Sequence, residues 1–249
     1  MSIERVREAM AQGRALKVIS GLNNFDFANV MAVCRAAEMG GATFVDIGAN
    51  AELIKAVKSA ISLPVCVSAV EPQLLVMAVA EGADLVEIGN FDSFYAQGIN
   101  FTAEDVLSLT RQTRELLPEI TLSVTVPHTL PLDQQADLAQ KLVAEGADII
   151  QTEGGTSSQP NHSGVLGLIE KASPTLAAAH VISAVVDVPV LCASGLSDVT
   201  VPMAIASGAS GVGVGSAINK LNDPVAMIAV VRRLVECLYA TESRFSLTR

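Results

Sequence analysis

Three polar residues recur at one place in a repeated pattern. Gly41-Ala-Thr-Phe-Val-Asp-Ile-Gly48 is echoed by Gly82-Ala-Asp-Leu-Val-Glu-Ile-Gly89, with looser copies starting at Gly146 and Gly208. Aligning the copies puts Asp46, Glu87 and Gln151 at one position and Gly213 in the fourth copy. Converging carboxylates can move protons or hold a cation. They can also form a buried polar layer paired with Lys17, because an unpaired buried carboxylate is costly. Lys17 lies inside the apolar stretch Ala15-Leu-Lys-Val-Ile-Ser-Gly21, where lysine is unusual. Three roles are open to it: an imine-forming amine, a partner for phosphate or carboxylate, or a rim lysine reaching water.

A second set sits just after apolar stretches. His128, in Thr-Val-Pro-His, suits general acid–base work because imidazole titrates near neutrality, and a loop-fixing role is equally open. Asn23, Ser68, Gln151, Glu153, Gly154, Gly155 and Ser194 are candidate substrate contacts. Late in the chain, Gly195, Gly213, Gly215 and Ser216 fall in two pieces, Ala193-Ser-Gly-Leu196 and Gly211-Val-Gly-Val-Gly-Ser-Ala217. Glycines there would expose backbone N–H groups to an anion, so these four are expected to hold a phosphate. The three histidines lack metal-ligand spacing, and no metal site is expected. Cys34, Cys66, Cys192 and Cys237 are scattered, as buried thiols of a reducing compartment would be.

The elements that must position these residues follow from periodicity. Short apolar stretches at 16–20, 43–48, 64–70, 84–89, 121–126, 148–152, 189–193 and 211–214 read as eight strands. Helical patterns over 26–39, 51–61, 103–117, 133–145, 174–185, 198–207 and 224–239 alternate with them, another opens at Pro72, and a first helix at 3–12 precedes them. That order implies an α/β protein, a single (β/α)8 TIM barrel spanning 1–240 with the first helix capping its bottom and a frayed tail at 241–249; an open doubly wound sheet is the alternative. Repeats at every second strand favour closure. Two loops read as lids: the aromatic segment 90–101 and a long stretch from Thr152 towards Ser173.

Composition narrows the partners. The chain has 249 residues, a net charge of −10 and half its residues apolar. The acidic balance argues against nucleic acid and anionic membranes, and each apolar run is interrupted before it could span a bilayer. The aromatic loop and the apolar face of the last helix (Val225, Ile228, Val231, Leu234, Val235, Leu238) point to a homo-oligomer.

Five segments carry a resemblance: Leu16–Phe25, Glu87–Tyr95, Ser123–His128, Gln151–Ser158 and Cys192–Leu196. In that order they resemble the hypothetical-chloroplast-reading-frame family of cyanobacteria and algal plastids. The resemblance implies a cyanobacterial cytoplasm or a plastid stroma and brings no reaction with it. The last third is also similar to the phosphate-binding TIM barrels, which implies phosphate contact at Ala193–Leu196 and Gly211–Ala217. The phosphate could belong to a substrate or to FMN. Taken together, the expectation is a lyase, isomerase or synthase acting on a small phosphorylated metabolite, with Lys17, Asp46, Glu87 and His128 as the catalytic pool. The alternatives are an FMN-dependent oxidoreductase and a non-catalytic phosphometabolite sensor or scaffold.

Overall fold

A computed structural model describes residues 3–95 and 97–245, the last five as backbone. Eight parallel strands close into a barrel in chain order. They are β1 (Ala15–Gly21), β2 (Phe44–Gly48), β3 (Val65–Ala69), β4 (Leu85–Ile88), β5 (Leu122–Thr125), β6 (Ile149–Gln151), β7 (Val190–Ala193) and β8 (Gly211–Val214). The helices, numbered in chain order, are α1 (Ile3–Ala11), α2 (Phe27–Gly40), α3 (Ala51–Ala60), α4 (Pro72–Ala80), α5 (Asp92–Tyr95), α6 (Ala103–Leu116), α7 (Leu132–Ala144), α8 (Gly164–Ser183), α9 (Val201–Ala206), α10 (Ser216–Asn219) and α11 (Pro224–Phe245). Local chemistry starts several of them. Asp26 and Asn50 accept hydrogen bonds from the first turns of α2 and α3, Thr102 and Asp105 form a capping box on α6, and Pro72 begins α4.

The barrel interior is layered, as alternate strands require. At the bottom, Phe44, Leu85 and Ile149 form an apolar plug covered by Val6 and Met10 of α1. One step higher on the even strands come Asp46, Glu87, Gln151 and Gly213, the aligned positions of the repeat. Above them Ile19, Ser68, Thr125 and Ala193 point inward from the odd strands, and the mouth opens over that layer. Outward residues such as Val18, Val45, Val67, Val86, Val124 and Val212 bury against the surrounding helices.

Three expectations change. The stretch from Gly164 to Ser173 is helix, not loop, because α8 runs through Pro174. Proline cannot donate to the carbonyl four residues back. Here that carbonyl, of Glu170, accepts from the hydroxyls of Ser158 and Ser173 instead. The last helix continues to Phe245, into the expected tail, whose residues 246–249 lie outside the described ones. By length and composition α8 is also apolar enough to cross a membrane, yet it packs on the barrel through Ala172, Ala178, Ala179 and Ile182.

Part of the apolar surface that suggested a second copy packs within the chain, while Val225 of α11 stays exposed. Val231, Leu234 and Leu238 of α11 are buried, and Val231 fits over Gly40 of α2, where a Cβ would collide with it. In the 90–101 loop, Phe91 is buried and stacks on Phe101 at 4.4 Å, with Phe94 edge-on at 5.6 Å.

Candidate active site at the barrel mouth

The interior polar layer is a closed network. Lys17 Nζ, rising from the odd layer below, donates to Glu87 Oε2 at 2.6 Å and Gln151 Oε1 at 3.0 Å, and lies 3.3 Å from Asp46 Oδ2. Ser68 donates to Asp46, Ser123 to Glu87, and the Gln151 amide to both Glu87 and Thr125. Lys17 is 1% exposed, so the reading of a rim lysine reaching water is wrong. Although burial disfavours its charge, the Asp46 and Glu87 carboxylates outweigh burial and raise its pKa above the ordinary lysine value. An amine held protonated in this way does not suit imine formation near neutrality. Burial pushes the Asp46 carboxyl up to about 6, against Lys17 and with Glu87, since two carboxylates share one ammonium.

Above this layer lies a cavity of about 260 Å3. Ile19, Gln151 and Ala193 floor it; Ser194, Gly195, Gly215, Ser216 and Lys220 line its β7–β8 side; Asn90, Glu153 and Thr156 reach it from the loops after β4 and β6. Asn219 ties α10 to the end of β1 by donating to the carbonyls of Ile19 and Ser20. Gly213 was expected among the phosphate contacts, but it does not line the cavity. It pairs level with Lys17, one layer down, where a Cβ would press on Ala193 and Ile19. Gly215, two residues on, takes the mouth position.

The 90–101 loop and β6 meet beside the cavity in a second network. Glu153 Oε1 accepts from Tyr95 Oη at 2.6 Å, from the His128 backbone N–H and from His128 Nδ1, both at 3.1 Å; its Oε2 accepts from the Asp92 N–H at 3.2 Å. The hydrogen bond to Glu153 raises the His128 pKa against the effect of burial. Burial and Glu153 also raise the Tyr95 pKa, so the phenol stays a donor. Asp92 accepts from Ser194 Oγ at 2.9 Å, Ser157 Oγ at 3.0 Å and Gly154 N–H at 3.4 Å. Ser194 in turn accepts from the Thr156 N–H at 2.9 Å. Asp92, His128 and Glu153 bring ligand atoms within 4.8 Å of one another, as a cation site would. Their oxygens are already engaged by protein donors, which a cation would have to displace.

Of the expected site residues, the cavity therefore gathers Gln151, Glu153, Ser194, Gly195, Gly215 and Ser216. Lys17, Asp46 and Glu87 lie beneath the cavity floor, Ser68 stands level with the floor but is turned onto Asp46 and does not line the cavity, and Asn23 is exposed on the loop after β1. His128 reaches the site through Glu153. Gly154 and Gly155 serve packing: a Cβ on Gly154 would meet His128 and Pro174 at 3.1 Å, and one on Gly155 would lie 2.5 Å from Gly195 Cα. Gly155→Ala is therefore expected to force the β6 and β7 loops apart and to destabilise the chain by about 1–3 kcal/mol, the range for overpacking. Urea denaturation checks this; an unchanged midpoint would mean that the loops yield freely. Asp92, Tyr95, Asn90, Thr156 and Lys220 were missed. The aromatic content of 90–101 flagged the loop, but nothing in its pattern singled out Asp92.

Relatives share this chain's sequence over most of its length. A protein named "Uncharacterized protein ycf23" from Cyanophora paradoxa is 44% identical over 92% of this chain and 95% of its own. Proteins of the same name from Pyropia yezoensis and Porphyra purpurea are 38% and 40% identical, covering 88% and 87% of this chain and 80% and 82% of theirs. Solved structures share the fold at low identity. "Wild-type GGGPS from Thermoplasma volcanium" superposes with a TM-score of 0.65 at 12% identity, covering 96% of this chain and 98% of that one. A 3-hexulose-6-phosphate synthase does so with a TM-score of 0.62 at 18% identity, covering 90% and 99%. The family described as "Protein of unknown function (DUF561)" matches residues 1–244, and the chain belongs to it.

Proposed function

We propose that this chain is an enzyme of the lyase, isomerase or synthase kind acting on a small phosphorylated metabolite. The carrying observation is a single cavity that joins an anion-suited wall to a buried carboxylate. On one side, Ser194, Gly195, Gly215, Ser216 and the Lys220 ammonium would hold a phosphate. On the other, Glu153 lines the cavity and would take or return a proton, with His128 and Tyr95 fixing its orientation. Gln151 would contact the ligand from the floor, and Lys17, Glu87 and Asp46 would position it from below. Structures sharing the fold include a thiamine phosphate pyrophosphorylase and a 3-hexulose-6-phosphate synthase, whose names carry phosphate chemistry. At about 260 Å3 the cavity falls below the range for drug-sized ligands, which favours a small metabolite over FMN. The ycf23 relatives support a cyanobacterial cytoplasm or plastid stroma as its place.

Thermal unfolding with inorganic phosphate tests the binding half of the reading. A ligand that binds only the folded chain raises its melting temperature with concentration. Lys220 is exposed, so Lys220→Glu keeps the fold and is expected to weaken the phosphate response about tenfold, one ion pair's worth at a partly desolvated anion. Equal responses from both chains would contradict the assignment.

A further inference from the structure

Resting on the phosphate site just described, we infer that the ligand is a short hydroxylated monophosphate: its far end carries hydroxyl donors and no second anion. The β4–β6 side of the cavity offers acceptors. Gln151 spends both amide hydrogens on Glu87 and Thr125, so the capacity it keeps for a ligand is the second lone pair of an oxygen that already accepts from Lys17. Glu153 Oε1 is crowded by three donors, whereas Oε2 accepts one, from the Asp92 N–H, and keeps capacity for another. Beneath the floor, one ammonium faces two carboxylates. This half of the cavity is therefore rich in acceptors and negative in potential. It calls for ligand donors and repels a second phosphate or a carboxylate.

Between the two ends, Asn90 and Thr156 add neutral hydrogen-bonding groups along the wall. Hydroxyls on successive carbons match such a wall, whereas a terminal ammonium would be met at one point. Among the described residues, none that lines the cavity is aromatic, and Ile19 and Ala193 are its larger apolar contributors, so a ring or a prenyl chain has little to pack on. A volume of about 260 Å3 is below that of drug-sized sites, which suits a phosphate on a short hydroxylated chain.

Calorimetric titration of the full chain tests this with six probes: inorganic phosphate, glycerol phosphate, a pentose monophosphate, phosphoethanolamine, phosphoglycerate and a pentose bisphosphate. The two hydroxylated monophosphates are expected to bind at least about tenfold more tightly than inorganic phosphate, and phosphoglycerate and the bisphosphate about tenfold less tightly than their uncharged-end counterparts. Glu153→Gln should narrow the gap between glycerol phosphate and phosphoglycerate. If that variant fails to fold, Gln151→Met should weaken the hydroxylated ligands and leave inorganic phosphate unchanged. Should inorganic phosphate bind while glycerol phosphate gains nothing over it, or phosphoethanolamine or phosphoglycerate bind best, this inference falls and the phosphate site stands. Should no phosphate compound bind, the phosphate site itself falls, and this inference with it.

Discussion

Replacing Lys17 by methionine is expected to lower the unfolding free energy by about 3–5 kcal/mol, the usual cost of removing one partner from a buried ion pair. Lys17, Asp46 and Glu87 are each no more than 1% exposed, so water cannot replace the lost ammonium. The defect should depend on pH in a defined direction. Asp46 is already pushed up to about 6 in the fold, against 3.8 when free. Between those values the folded chain holds a proton that the unfolded chain has released. The Asp46 contribution to stability is thus fully present below about pH 4 and lost as pH rises through about 6. Without Lys17 the Asp46 carboxyl loses the charge that holds its pKa down and rises further, and its protonation relieves the site. Urea midpoints of Lys17→Met should therefore approach the parent's as pH falls from about 7 to about 5. A defect of equal size across that range would show that Lys17 is not the counter-charge of this layer.

Replacing Asp92 by alanine should harm the mouth as deeply as Lys17→Met harms the interior. Three donors lose their acceptor at once: Ser194 Oγ, Ser157 Oγ and the Gly154 N–H. Leaving a buried donor unpaired costs about 1–3 kcal/mol; the Gly154 N–H is buried and Ser194 half-buried, whereas the exposed Ser157 hydroxyl can turn to water. Ser194 also sits at φ 77°, a backbone region that non-glycine residues adopt only when their surroundings hold them there. Asp92 supplies that hold, so the Ser194–Gly195 turn should relax without it. The expected result is a loss of about 2–4 kcal/mol in stability and at least about tenfold in affinity for inorganic phosphate. Asp92→Asn retains one acceptor oxygen and should fall between. Calorimetry and urea denaturation on the same samples check both effects. Phosphate affinity that survives Asp92→Ala would detach this network from the anion wall.

Much of the architecture could be read from the chain because its signals are local. The Gly-Ala repeat aligned Asp46, Glu87, Gln151 and Gly213, and strand parity then sent all four to one interior layer. Lys17 stood out because lysine does not belong in an apolar strand without partners, and its partners are those carboxylates. What escaped was non-local. Pro174 reads as the start of a helix, and only Ser158, far from it in sequence, and Ser173 show how its interior position is tolerated. Gly213 and Gly215 look equivalent in a glycine run, yet the stagger of β8 against β1 puts one beneath the cavity and the other beside it. Asp92 resembles any acid in a surface loop until folding brings Ser194 to it across 102 positions of chain. That Ser194, Gly195, Gly215 and Ser216 share one wall of the mouth was legible because glycine and serine at strand ends report on backbone. The surroundings of Glu153 were not, because Tyr95 and His128 reach it from two other loops.

The most direct test of the account is the position of phosphorus in crystals grown with glycerol phosphate. The phosphate is expected between Ser194–Gly195 and Gly215–Ser216, near Lys220, with the hydroxyls turned towards Glu153 and Gln151. Phosphate density anywhere else on the barrel, or an empty mouth at a concentration that saturates calorimetric binding, would contradict it.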